Sequence, residues 1–131
     1  IHQYQLDAVI PDTLNKNIWF TEGMADYLAM QIANMMGKDQ SKIFQNYGKR
    51  GLSYGIKLSE ICSRTRWNFY SKDNNLYPLA DFAMYELFSR YSAKNPFAYL
   101  LILQTHSADE AMRLTYGISM DNLLDGAIKS K

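Results

Sequence analysis

Thr21-Glu22-Gly23-Met24-Ala25-Asp26-Tyr27-Leu28-Ala29-Met30-Gln31-Ile32-Ala33-Asn34-Met35-Met36-Gly37 is the stretch on which the fold turns. Met24, Leu28, Ile32, Met35 and Met36 recur at helical spacing. Thr21 is an N-cap type of residue and Gly37 a stop, so the spacing predicts a centrally packed helix over 21–36 with its apolar stripe toward a core. Glu22 and Asp26 are four apart, which puts two like charges one turn apart on one face. Ala29 and Ala33 continue that face with small side chains that would let a neighbouring helix come close and partly bury the two acids. A partly buried carboxylate needs a cation, a hydrogen-bond donor or a metal beside it.

Outward from this helix the punctuation stays helical. A segment from Asp39 to Tyr47 is expected to end at Gly48, and 49–75 is expected to be irregular apart from a short helix near Leu58 to Cys62, because Gly51, Ser53 and Gly55 break any period. Pro78 sits where a first helical residue would be, ahead of the stripe Leu79, Phe82, Ala83, Leu87, Phe88 and Tyr91. Pro96 repeats the device for a helix through Gln104. Ser107 and Glu110 have capping-box spacing, Gly117 closes the helix they open, and Ser119 can cap a last one through Ile128. No alternating pattern is long enough for a sheet, so the expected class is mainly α, about six or seven helices in a single domain spanning residues 1–131.

With 131 residues, 47% of them hydrophobic, the chain can bury a core without help from a disulfide or a metal. Cys62 is the one cysteine, so no internal disulfide forms. A net charge of +1, with both signs dispersed, argues against a protein that grips nucleic-acid backbones. Lys57, Arg64, Arg66 and Lys72 surround Trp67, Phe69 and Tyr70, but Glu60 and Asp73 dilute the patch, and a solvated loop over buried aromatics is the better reading. The longest apolar run, Tyr99 to Leu103, is far short of the ~20 residues that cross a bilayer, so no membrane span is expected. The chain opens on Ile1-His2 and is expected to be a piece of something longer.

The string Trp19-Phe20-Thr21-Glu22-Gly23-Met24-Ala25-Asp26-Tyr27 resembles the segment that carries the third zinc ligand in gluzincin metallopeptidases, above all the bacterial peptidase-MA-like domains. In that family one helix carries His-Glu-x-x-His and a second opens with Glu-Gly. Ile1-His2-Gln3 would be the end of the first motif, and nineteen residues separate His2 from Glu22. Leu76-Tyr77-Pro78-Leu79-Ala80, the Ser107 start and the Tyr116-Gly117 turn are similar to the helical C-terminal half of such domains.

The resemblance implies zinc as the cofactor, a peptide or protein as the substrate, and His2 and Glu22 as ligands. It implies Asp26 as the outer acid that fixes a zinc histidine. Tyr77 would donate a hydrogen bond to the oxyanion, although capping and core packing is the competing role for its ring. The first His and the catalytic Glu would lie in the three residues before Ile1, so this chain by itself is expected to be folded, nearly zinc-free and inactive. The family also implies an extracytoplasmic or secreted location. The competing class is a helical interaction domain that keeps the scaffold without the chemistry. His106, ahead of the Ser107 cap, is read as solvent-facing.

Overall fold

The structure, a computed structural model, describes residue 13 and residues 15–37, 41–91 and 96–125. Among these residues there are six α-helices, two 3-10 turns and no strand, so the mainly α class is what the molecule has. The helices are α1 (Ile18–Met35), α2 (Ser41–Leu52), α3 (Arg64–Ser71), α4 (Tyr77–Arg90), α5 (Pro96–Leu103) and α6 (Ala108–Tyr116). The 3-10 turns are Leu58–Ile61 and Met120–Asn122.

The central helix is α4 rather than α1. Pro78 through Met84, Glu86 and Leu87 are all buried, so α4 is covered on nearly every side, as a helix that is apolar all round must be. Its two main neighbours are α1 and α2. The α2 helix does not stop at Gly48 but runs through Gly48 and Gly51 to Leu52. A Cβ on Gly51 would stand 2.7 Å from the Leu79 Cα, and one on Gly48 would stand 2.7 Å from the Phe82 ring. These glycines are there for close approach to α4, not for termination, which is why the stop expected at Gly48 is absent. Beyond Gly48, Phe44 stacks on Tyr85 at 4.9 Å and completes this antiparallel contact.

The N-cap of α1 is Asn17, not Thr21. Asn17 Oδ1 accepts from the Phe20 backbone N–H at 3.2 Å, and Thr21, already inside the helix, donates its hydroxyl back to the Asn17 carbonyl at 3.1 Å. Asn17 is buried and its amide also donates to the Tyr99 hydroxyl at 2.8 Å, which in turn donates to the Ala108 carbonyl at 3.2 Å. One side chain therefore starts α1 and ties it to α5 and α6. Lys16 adds a second tie by donating to the Leu103 carbonyl, 2.9 Å away at the C-terminus of α5, where the helix dipole favours a cation.

Only the first half of α1 enters the core, through Ile18, Trp19, Phe20, Met24 and Ala25. Leu28, Ile32, Met35 and Met36 are exposed at 38%, 54%, 85% and 75%, so the stripe expected to face inward runs out into solvent. Ala29 is exposed too, and among the described residues no helix closes on it. Gly37, at φ +90°, and Gly117, at φ +74°, end α1 and α6 in the left-handed conformation that glycine tolerates. Ser107 accepts from the Glu110 N–H at 3.2 Å and donates to the Glu110 carboxylate at 3.1 Å, as its spacing predicts. The expected helix near Leu58 is the first 3-10 turn, whereas α3 occupies part of the stretch expected to be irregular. The last expected helix is a 3-10 turn after Ser119, and its continuation to Ile128 lies outside the described residues.

Candidate functional site

The carboxylates of α1 meet α4 because Gly23 has no side chain. A Cβ there would lie 2.7 Å from both the Ala80 carbonyl oxygen and the Met84 Cγ. With the backbones that close, the helices run in the same direction and residues one turn apart on α1 face residues one turn apart on α4. Glu22 meets Tyr77, and Asp26 meets Asp81.

At the first level the Tyr77 hydroxyl donates to Glu22 Oε2 at 3.2 Å, and Arg64 Nη2, reaching over from the start of α3, lies 3.5 Å from Glu22 Oε1. The Glu22 side chain keeps 14% of its exposure, so it is mostly buried yet open at one edge. Tyr77 stands edge-on to the buried Trp67, ring centroids 5.6 Å apart. Partial burial, and then the negative charge of Glu22, raise the Tyr77 phenol above its ordinary value despite Arg64. The hydroxyl is thus kept protonated and able to donate. Tyr77 also borders a shallow cleft of about 390 Å³ lined by Trp67, Leu76 and the polar turn Lys72, Asp73 and Asn74; Glu22, Arg64, Asp26 and Asp81 are not in its lining.

One turn deeper, Asp81 is 2% exposed, and its carboxyl is electrostatically coupled to that of Asp26 across the seam. Burial, and after it the charge of Asp26, push Asp81 up to about 8. Its Oδ1 is buried without a hydrogen-bond partner.

Of the expected site residues, Glu22, Asp26 and Tyr77 share one helix–helix seam, and His2 lies outside the described residues. Among the described residues no group of three or more His, Cys, Asp or Glu is placed to hold a metal. Glu22 is a mostly buried carboxylate with one oxygen on Arg64 and the other on Tyr77, and the acids Asp26 and Asp81 lie behind it. His106 is only half exposed, its Nδ1 lying 2.9 Å from the Thr105 hydroxyl and 3.1 Å from the Ile102 carbonyl at the end of α5. The basic and aromatic segment is helix α3, with Trp67 buried but Phe69 exposed, rather than a loop over buried rings.

Two members of the site lie outside the expectation from sequence. Arg64 reads there as part of a solvated patch, and nothing in its local sequence links it to Glu22. Asp81 does leave a signal, as the single acid in the apolar run Leu79-Ala80-Asp81-Phe82-Ala83-Met84, four residues after Tyr77. In comparisons with known proteins, no protein-family model, no curated protein and no solved structure matches this chain.

Proposed function

We propose that this chain is the helical part of a gluzincin-like zinc metallopeptidase domain that hydrolyses peptide bonds in its complete form. The observation that supports this reading is the seam itself: the Glu22 carboxylate, the Tyr77 hydroxyl 3.2 Å from it, and Asp26 one turn on, all brought together around Gly23. Glu22 and His2 would be zinc ligands, with a further His and a general base supplied from a His-Glu-x preceding Ile1. When bound, zinc polarises the substrate carbonyl and lowers the pKa of its water.

The chain's own residues have definable parts. Arg64 and Tyr77 hold one oxygen each of Glu22 and so fix the carboxylate plane. Asp26 would accept from the outer N–H of a zinc histidine and set its tautomer. Tyr77, 40% exposed and part of the cleft lining, would donate to a developing oxyanion only by giving up its hydrogen bond to Glu22. The cleft would receive the peptide.

The test compares the 131-residue chain with the same chain carrying His-Glu-Ala directly before Ile1, which completes a His-Glu-x-x-His ending at His2. Stoichiometric zinc by elemental analysis, and cleavage of a mixed peptide library, are expected in the extended chain only. No zinc in the extended chain would favour the non-catalytic interaction domain, whose supporting observation is the exposed Leu28, Ile32, Met35 and Met36.

A further inference from the structure

We infer that Asp81 is the proton-carrying half of an acid pair with Asp26, and that it acts as a positioning residue that holds Asp26 in place behind Glu22. The positioning role rests on the function proposed above; the acid pair does not.

Geometry carries the pair. Gly23 lets α1 approach α4 closely at Ala80, and the next residue of α4, Asp81, is 2% exposed on that seam with its Oδ1 buried and unpartnered, while α1 presents Asp26 one turn on from Glu22. A buried carboxylate without a counter-charge would be very costly, and a proton between the two acids removes one charge and creates a donor. The groups facing Asp81 are consistent with that solution. From α1 these are Asp26 and, a turn earlier, Glu22, whose charge is already engaged by Arg64 of α3. On α4 itself Tyr77 and Tyr85 lie one turn to either side. From α2, Phe44, Gly48 and Gly51 pack against α4 and are uncharged, while its cations Lys42, Lys49 and Arg50 are all exposed. No cation among these reaches Asp81, and the raised pKa follows from the same arrangement.

A protonated Asp81 donates to one oxygen of Asp26 and leaves the other free to accept from a histidine N–H. An Asp26 without that donor would be free to turn about its side chain. Asp81 would then act on the zinc site only through Asp26, without touching metal or substrate.

Two measurements decide the matter. In the metal-free 131-residue chain, the side-chain carboxyl carbon of Asp81 is followed by nuclear magnetic resonance against pH. A midpoint well above the ordinary carboxylate range, falling in Asp26→Asn, is expected; a midpoint below about pH 5 overturns the pair. This reading needs no Asp81 variant to fold. In the chain completed with His-Glu-Ala, Asp81→Leu is expected to weaken zinc affinity ~10- to 100-fold, and Asp81→Asn, which keeps a donor, to restore most of it. Equal affinity in all three overturns the positioning role. Absence of zinc from the completed parent overturns the proposed function and the positioning role together, while the midpoint still decides the acid pair.

Discussion

Gly23 sets the distance on which the rest of the site depends. A Cβ at this position would stand 2.7 Å from the Ala80 carbonyl oxygen, a backbone atom that cannot rotate away, so Gly23→Ala must push α1 off α4. The overpacking costs about 1–3 kcal/mol, against about 1 kcal/mol returned by the better helix propensity of alanine. A lower midpoint in urea denaturation is expected, together with loss of the Tyr77–Glu22 hydrogen bond and a fall of the Asp81 midpoint toward ordinary carboxylate values. A Gly23→Ala chain with unchanged stability and an unchanged Asp81 titration would mean that the seam can relax, and that glycine is not what holds the two acid levels in register.

At the scale of elements, the two glycines of α2 make a graded test. Gly51 faces the Leu79 Cα and Gly48 faces the ring of Phe82. A ring can shift by a few tenths of an ångström and a main chain packed on both sides cannot, so Gly51→Ala should destabilise more than Gly48→Ala, each within about 1–3 kcal/mol. Chemical denaturation of the two variants gives the order, and a larger loss at Gly48 would show that the Phe82 ring is the more tightly held neighbour.

The same residues show what a sequence can and cannot convey. Ser107, Gly117 and Pro78 are legible because caps and the proline position act through bonds to their own neighbours in the chain. Gly48 and Gly51 mislead because glycine serves both as a helix stop and as a contact point, and only a partner helix distinguishes the two. Periodicity reveals that α1 is a helix but not how much of it is covered, so its outer stripe reads as part of a core that it does not reach. Within the site, the Glu22–Asp26 spacing can be read from the chain. The pairing with Asp81 and Arg64 arises between elements and leaves only the trace of one acid in an apolar run.

For the whole molecule, titrating groups pull stability in two directions. The Met120 backbone N–H and then Arg113 hold Asp109 below the usual carboxylate range, and the Tyr70 hydroxyl and then the Lys57 N–H do so for Glu60. A depressed carboxylate stabilises above its unfolded pKa, and that contribution is lost as pH falls through the folded value. Asp81 has the opposite sign. Raised from 3.8 to about 8, its contribution is complete below the unfolded value and is progressively lost as pH climbs to the folded one. Thermal stability should therefore peak at mildly acidic pH, about 5, and decline toward about 8. In Asp81→Asn the decline should flatten while the acid limb stays in place. Melting curves across that range test this, and an identical alkaline decline in both proteins would remove Asp81 from the account.

The uneven cover along α1 gives the molecule an internal chemical clock. Of seven methionines, Met35 and Met36 stand almost fully in solvent, whereas Met24, Met84, Met112 and Met120 are buried. The Met120 sulfur lies 3.3 Å from the Trp19 indole nitrogen and 3.2 Å from the Cys62 sulfur, at the join between α1 and the C-terminal turn. Dilute peroxide should convert Met35 and Met36 to sulfoxides at the rate of free methionine, since nothing must open to admit the oxidant. Met120 can be oxidised only when that join separates, so its rate reports the opening equilibrium of the core, with the two outer sulfurs as the built-in reference. Peptide mass spectrometry reads both rates from one sample, and oxidation of Met120 in step with Met35 would mean that the join is open much of the time.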